Sequence, residues 1–249
     1  MSLTIVVVPC YNEAARLDLN AFRAFAATHP AFRFLFVNDG SRDATLDIIR
    51  GLEKENPRAF IAHSLARNSG KAEAVRNGMI EALKLSADVV AFWDADLATP
   101  LESLPGFTAI IESRPEIALV MGSRVNLLGR QIERRPMRHY LGRIAATLAS
   151  LTLRLSVYDT QCGAKMFRVS DETAEIFGAP FRTRWIFDIE ILARMIALRR
   201  RRNLPPVETA VYELPLTVWR DVRGSNIRLT DFLKSFFELR IVRKVRQGK

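Results

Sequence analysis

Apolar runs alternate with helically spaced stretches through the first half of the chain. Residues 4–9 (T-I-V-V-V-P) are β-branched and apolar throughout, the pattern of a parallel strand buried on both faces. An amphipathic stretch at 14–28 predicts the first helix. A second run at 32–38 closes on Asp39-Gly40-Ser41 and leads into helical spacing at 44–55. A third, at 60–65, is followed by the loop Arg67-Asn68-Ser69-Gly70-Lys71 and a helix over 72–85 with Ala74, Val75, Met79 and Leu83 on one face. The fourth run, V-V-A-F-W from Val89, ends in Asp94-Ala95-Asp96. A helix at 101–112 and a strand at 117–121, ending in Gly122-Ser123-Arg124, complete the series. Such alternation predicts an α/β fold: a doubly wound, parallel sheet with right-handed crossovers, flanked by helices. Polar residues gather at each strand's carboxyl end, where such sheets bind ligands.

Beyond Asn126 the alternation stops. Residues 134–155 predict a long amphipathic helix with an arginine-rich start, and 159–168 a glycine-containing turn running into a short strand. A helix is expected at 186–197, a strand at 207–213, a polar loop at 219–226 and a terminal helix at 231–246 with a basic close.

The 249 residues, 49% of them apolar, suffice for one large domain or a domain with an appendage. No stretch approaches ~18 uninterrupted apolar residues and no charged-then-apolar leader opens the chain, so neither a spanning helix nor a signal peptide is expected. Cys10 and Cys162, distant and outside any C-x-x-C pattern, are expected as free thiols of an intracellular protein. The net charge changes the picture more. Thirty-seven Lys and Arg against 27 Asp and Glu give +10, which favours polyanionic partners: nucleic acid, an anionic membrane surface or phosphorylated substrates. Much of the arginine falls at 124–154, 199–202 and 240–246.

Against that basic background two carboxylates, Asp94 and Asp96, stand at a strand end. Hard oxygen ligands so placed suit Mg²⁺ or Mn²⁺, which keep waters and substrate phosphates as their remaining ligands. A D-x-D found alone more often caps the next helix. Lys71, behind Gly70 at a helix start, brings charge and backbone donors for a phosphate, or is an ordinary helix entry; it lacks the spacing of a P-loop.

The succession P-C-Y-N-E, V-N-D-G-S, N-S-G-K, D-A-D and G-S-R on successive elements resembles the inverting family 2 glycosyltransferases of the GT-A fold. Within them, the stretch 159–167 and the W-x-x-x-x-G-S of 219–225 are similar to the dolichyl-phosphate glucose and mannose synthases, which charge polyprenyl phosphates. The resemblance spans roughly residues 4–226. It implies a Rossmann-like, mostly parallel sheet in a GT-A domain over 1–228. Residues 1–125 would form its nucleotide-sugar half and 126–228 its acceptor-side half, with a basic amphipathic helix at 229–249.

Several roles follow from the resemblance. Pro9, Tyr11, Glu13 and Asp39 are similar to the family's nucleotide contacts, and Lys71 and Asp94 join the donor site. Asp94 and Asp96 would hold the metal that bridges the diphosphate of a UDP- or GDP-linked hexose, uridine being preferred. Arg124, Arg134 and Arg138 are similar to its acceptor-phosphate residues, with Arg135 replacing Arg134 if the register shifts by one. Asp159 would orient an arginine or the sugar; in saccharide-directed relatives a carboxylate in this vicinity is the base. Asp188 and Glu190 would face the donor sugar or lie on a helix surface, and Cys162 reads as small buried packing.

Two positions depart from the family pattern. Ala98 stands where mannosyl-type relatives carry Gln, and Gly224-Ser225-Asn226 replaces G-S-K, with Arg223 or Arg228 as substitutes for the lost lysine. The reaction implied is metal-dependent, inverting hexose transfer to a polyprenyl phosphate. The apolar-basic stretches 134–155 and 231–246 suit peripheral attachment of a cytoplasmic protein to the cytoplasmic face of a membrane, or, for the terminal helix, packing on the domain with a solvated basic face. The rivals are transfer to a saccharide hydroxyl and, from another class, a basic nucleic-acid-binding module, for which no zinc knuckle or RNA-binding motif is present. No nucleic-acid partner is therefore expected. Oligomeric state is open.

Overall fold

A computed structural model describes residues 2–133, 136–221 and 229–249, with side chains described at all of these except 136–141 and 229–235. Nine strands carry the architecture: β1 Thr4–Cys10, β2 Phe32–Asn38, β3 Phe60–Ser64, β4 Val89–Trp93, β5 Leu119–Ser123, β6 Gln131–Glu133, β7 Ala164–Arg168, β8 Val211–Pro215 and β9 Val218–Arg220. Eight α-helices pack around them: α1 Leu19–Thr28, α2 Thr45–Glu55, α3 Lys71–Lys84, α4 Leu104–Ser113, α5 Pro136–Leu153, α6 Asp171–Gly178, α7 Phe187–Arg201 and α8 Leu229–Arg246.

Seven strands form one sheet in the order β3-β2-β1-β4-β7-β5-β8. The runs read as strands buried on both faces are so: β4 is buried at every position, and β1 at all but Pro9. A proline is tolerated there because the β1–β4 ladder ends at Val7 and Phe92, so the missing N–H falls past it. One apolar layer centres on Phe22, Phe34, Phe36, Trp93 and Phe107, the other on Val7, Val37, Met79, Phe92 and Phe167. The chain leaves β1 first toward β2 and β3 and later toward β4, so the strand order reverses between β1 and β4. The crevice for a ligand in such a sheet lies at the carboxyl ends of those two strands.

Helix α3 closes on the sheet where Gly78 faces β1 and β2. A Cβ at Gly78 would lie 2.3 Å from Val7 Cγ1 and 2.7 Å from Val37 Cγ2. Gly78→Ala is therefore expected to destabilise the fold, because ~1–3 kcal/mol of overpacking outweighs the ~1 kcal/mol helix-propensity gain of alanine over glycine. Chemical denaturation should show a lower midpoint with an unchanged slope and transfer chemistry intact; a midpoint at or above wild type would contradict the packing argument.

The structure corrects several element readings. Helix α1 begins at Leu19 rather than 14, since Asp18 caps it by accepting from Ala21 N at 3.0 Å and 14–16 form turns. The 207–213 strand is a 3₁₀ turn at Val207–Thr209 followed by β8, and 219–220 of the expected loop belong to β9, which pairs in parallel with β6. Helix α6, which the periodicity missed, is announced by Ser170, whose hydroxyl accepts from Thr173 N. Strand β7 runs antiparallel to both neighbours, β4 and β5, inside an otherwise parallel sheet. It and β8 place parts of 126–228 in the same sheet as residues of 1–125. Among the described residues no helix is long and apolar enough to cross a membrane.

Candidate active site

The site is assembled at one edge of the sheet. Strands β1, β2, β4 and β5 run in one direction and deliver Tyr11 to Glu13, Asp39, Asp94 to Asp96 and Arg124 from their carboxyl ends. Because β7 runs the other way, its amino end reaches the same edge, so Ala164 pairs with Trp93 and the preceding loop, Asp159 to Gly163, lies beside the carboxylates. A parallel strand would have sent that loop to the opposite edge.

The D-A-D turn is held tightly. Trp93, fully buried, donates its indole N–H to Thr99 O at 2.7 Å; Leu97 N donates to Asp94 O at 3.2 Å; Ala98 N donates to Asp96 Oδ1 at 3.1 Å. Leu97 sits at φ 51°, a left-handed conformation that costs a leucine ~1–2 kcal/mol and is retained where the surroundings over-determine it. Asp94 N donates to Gly163 O at 3.0 Å. Gly163 leaves no room for a side chain: a Cβ there would stand 2.0 Å from Asp94 Oδ2. Ala98 is buried and its carbonyl accepts from Arg220 N at 3.0 Å, which ties the β6–β9 ribbon to the turn.

Lys71 Nζ lies 2.5 Å from Asp94 Oδ1. Desolvation opposes the ammonium, but Asp94, Asp188 and Asp96 together raise its pKa above the ordinary lysine value. Burial, and then the Asp94 charge, push the Asp96 carboxyl above the usual range. Glu13 is raised by burial, against the pull of Arg16 at 2.6 Å, with Asp96 and Asp43 adding to it; its Oε2 is buried with no hydrogen-bond partner. This concentration of negative charge between β1 and β4 is what a divalent cation would relieve. Among the described residues no group of three or more His, Cys, Asp or Glu is placed to hold a metal. The donor set is thus two carboxylates with open positions, which fits an ion that takes its other ligands from water and a diphosphate.

Asp39 is buried, and its two oxygens accept from Ser69 N at 2.7 Å and Gly70 N at 2.8 Å. It thereby clamps the loop after β3 against the turn after β2. Gly40, at φ 62°, is required there, since a Cβ would meet the Arg67 and Asn68 backbone at 2.5 Å. Tyr11 is 40% exposed at the mouth, and Asn12 N and Glu13 N are anchored on Ser41 Oγ and Thr45 Oγ1.

On the other flank Arg124 and Asp159 form a bidentate pair, Nε to Oδ2 at 2.6 Å and Nη2 to Oδ1 at 2.7 Å, with Arg124 N also donating to Oδ2 at 3.1 Å. The guanidinium packs over the Trp219 ring with 5.3 Å to its centroid. Desolvation works against the Arg124 charge, yet Asp159 holds the pKa above the ordinary arginine value. Sequence reasoning missed Glu213, which fixes the partner: its Oε2 and Oε1 accept from Tyr158 N and Asp159 N, both at 2.8 Å. It also missed Arg143, whose guanidinium stacks 3.9 Å over the Tyr158 ring and which lines a recess with Arg124, Tyr158, Asp159 and Gln161.

Arg134 and its alternative Arg135 lie outside the described residues, as do Arg223 and the Gly224-Ser225-Asn226 loop with Arg228. Arg138 falls on α5, but its side chain is likewise outside them. Of the two alternatives for Asp188 and Glu190, the helix-surface one is corrected, since both side chains are buried. Asp188 is buried and pairs with the fully buried Lys165 at 2.5 Å; Lys165 also donates to Cys162 O at 2.7 Å. Glu190 is fully buried, accepting from Arg182 N, Thr183 N and Arg194. Both are buried ions held by partners from other elements rather than surface groups. Cys162 is buried, its thiol pKa raised mainly by burial, as packing requires.

Residues 5–173 match the model of the glycosyl transferase family 2 domain, described as "Glycosyl transferase family 2". Dolichyl-phosphate beta-glucosyltransferase of Drosophila melanogaster is 33% identical over 91% of this chain and 69% of its own. The enzyme of that name from Saccharomyces cerevisiae is 31% identical over 96% of this chain and 73% of its own. Among solved structures, glucosyl-3-phosphoglycerate synthase of Mycobacterium tuberculosis, in complex with Mn²⁺ and uridine-diphosphate-glucose, superposes with a TM-score of 0.67. It covers 97% of this chain and 79% of its own at 18% identity, a likeness of fold. By the match over most of its sheet and by these relatives, the chain belongs to glycosyl transferase family 2 and is a glycosyltransferase of the GT-A fold.

Proposed function

We propose that this protein transfers a hexose, with inversion, from a nucleotide-diphosphate sugar to a polyprenyl phosphate. The observation that carries the reading is the Arg124–Asp159 pair. Both oxygens of that carboxylate are engaged by a guanidinium, so it is not free to act as a strong base. An anionic acceptor needs no proton removed; it needs cations, and positioning with electrostatics supplies the rate. The names of the fly and yeast relatives, both dolichyl-phosphate glucosyltransferases, support the same acceptor class.

In this reading Pro9, Tyr11, Glu13 and Asp39 shape the nucleotide pocket, the last by holding the 67–70 loop against it. Asp94 and Asp96 hold a divalent ion, Mg²⁺ or Mn²⁺, which as a Lewis acid would stabilise charge on the departing nucleotide. Lys71 approaches the diphosphate from the start of α3, and Arg124 and Arg143 line the acceptor side, joined by Arg134 and Arg138. The split into a donor half at 1–125, an acceptor half at 126–228 and a basic helix at 229–249 is a division of labour across one sheet. UDP-linked glucose is the favoured donor, as in the mycobacterial complex. Exposed Ile144 and Leu151 on α5 and Phe236 and Phe237 on α8, with +10 net charge, support peripheral attachment to the anionic cytoplasmic face of a membrane.

Two assays test the proposal together. UDP and GDP are added with and without Mn²⁺ while unfolding is followed, and transfer from labelled UDP-glucose is measured to polyprenyl phosphate and to free saccharides. Occupancy at ~100 times the dissociation constant adds ~2.7 kcal/mol to stability, and this gain is expected for UDP only with the divalent ion. Metal-independent stabilisation would remove the D-A-D role. Turnover with saccharides and none with polyprenyl phosphate would replace the acceptor.

A further inference from the structure

Where α5, α7 and α8 end, four arginines come together. Arg154 directly follows α5, Arg200 lies in the last turn of α7, and Arg243 and Arg246 in the last turn of α8. Two bonds fix the grouping: Arg246 Nη1 donates to Leu153 O at 3.3 Å, and Arg200 Nη2 donates to Gln247 O at 3.2 Å. Cations at helix C-termini are favourable singly. Here Arg246 of α8 caps the end of α5, and Arg200 of α7 reaches the carbonyl just past α8, so the three helix ends are brought together.

Their neighbours behave differently. Arg199 pairs with Glu172, and Arg201 and Arg202 both pair with Glu175. Among the described residues no carboxylate lies within ion-pair distance of Arg154, Arg200, Arg243 or Arg246. Arg246 is the inner member: its Nε is buried and has no hydrogen-bond partner. Burial, and then the charges of Arg154, Arg243 and Arg200, lower its pKa below the ordinary arginine value. Arg154, Arg200 and Arg243 are exposed, so the cluster opens to solvent. Four guanidinium groups with no carboxylate partner among the described residues, and with a spare buried donor on Arg246, match an oxyanion, since the planar fork pairs with phosphate oxygens two at a time.

We infer that Arg154, Arg200, Arg243 and Arg246 form a second anion site that takes a phosphate group, either of a free phosphate or of an anionic phospholipid headgroup. It lies at the carboxyl end of α5, ~16 Å along the helix at 1.5 Å per residue from Arg143 of the acceptor-side recess. Leu151, 70% exposed one turn before Arg154, would meet acyl chains if the source is a lipid. The site does not depend on which sugar or acceptor the cleft uses.

The test uses the full chain without divalent ions and compares wild type with Arg154→Gln/Arg243→Gln and with Arg58→Gln, an exposed arginine outside the cluster. Both cluster positions are exposed, so the double variant is expected to fold, and loss of repulsion should raise its melting temperature in anion-free buffer. Inorganic pyrophosphate is titrated calorimetrically, and sedimentation is measured with phosphatidylcholine vesicles with and without phosphatidylglycerol. The double variant is expected to bind at least one probe about tenfold more weakly, the affinity scale of one or two lost charge-assisted bonds. Loss in the pyrophosphate arm alone identifies free phosphate as the source; loss in the phosphatidylglycerol arm identifies the lipid. Unchanged binding of both probes overturns the inference, as does an equal loss in Arg58→Gln, which would reduce the effect to net charge.

Discussion

Gly163→Ala is expected to lower the rate of sugar transfer about 10²–10³-fold while leaving the protein folded. The added Cβ would stand 2.0 Å from Asp94 Oδ2 and 2.2 Å from its Cγ, well inside any van der Waals contact, so the carboxylate must swing away. Gly163 does not occupy the left-handed region, so its backbone tolerates alanine and the conflict falls on the Asp94 side chain. Displacing it breaks the 2.5 Å contact with Lys71 and removes one of the two proposed metal ligands from position. A misplacement of ~1 Å in a catalytic constellation costs ~10²-fold, and loss of one electrostatic stabiliser ~10²–10³-fold. Stability should fall by no more than ~3 kcal/mol, the range for overpacking. Gly78→Ala is the matched comparison, because its clash is with Val7 and Val37 and not with a carboxylate. Steady-state kinetics over a Mn²⁺ titration would separate them: Gly163→Ala should show a weakened metal dependence, Gly78→Ala an unchanged one. Transfer by Gly163→Ala within threefold of wild type would show that the position of Asp94 does not matter.

Arg124→Ala is expected to cost stability as well as transfer. Asp159 is buried, with both oxygens committed to the guanidinium. Removing one partner of a buried pair takes away the counter-charge its carboxylate is built around and destabilises by ~3–5 kcal/mol. Asp159→Ala should cost a similar amount for the mirror reason. The double variant Arg124→Leu/Asp159→Leu should recover most of that stability, since both members of the pair leave together, yet should still fail to transfer because the acceptor-side cation is gone. Denaturant unfolding of the singles and the double gives the coupling energy directly, and acceptor KM is read beside it. Additive stabilities, or a double variant that transfers sugar as wild type, would refute the assigned role.

How much of this was legible in the chain can be judged residue by residue. The strands at 4–9, 32–38 and 89–93 were legible because a strand buried on both faces must be apolar along its whole length. The D-A-D and N-D-G-S turns were legible because polar groups immediately after such runs have nowhere to lie but the sheet edge. The family followed from the order of those turns.

What only the tertiary structure decided was how groups far apart in sequence meet. Nothing local marks β7 as antiparallel, yet that direction carries Asp159 and Gly163 to the edge where Asp94 and Arg124 wait. Arg124 and Asp159 are 35 positions apart, Lys165 and Asp188 are 23, and Glu213 reaches back 54 to hold the backbone of Asp159. A buried ion looks in sequence like any surface charge; only desolvation, imposed by neighbours from other elements, gives Asp188 and Glu190 their structural roles. Hydrophobic periodicity is a property of each segment against the core and survives in one dimension, whereas charge pairing is a property of two segments against each other and exists only once the sheet has set their register.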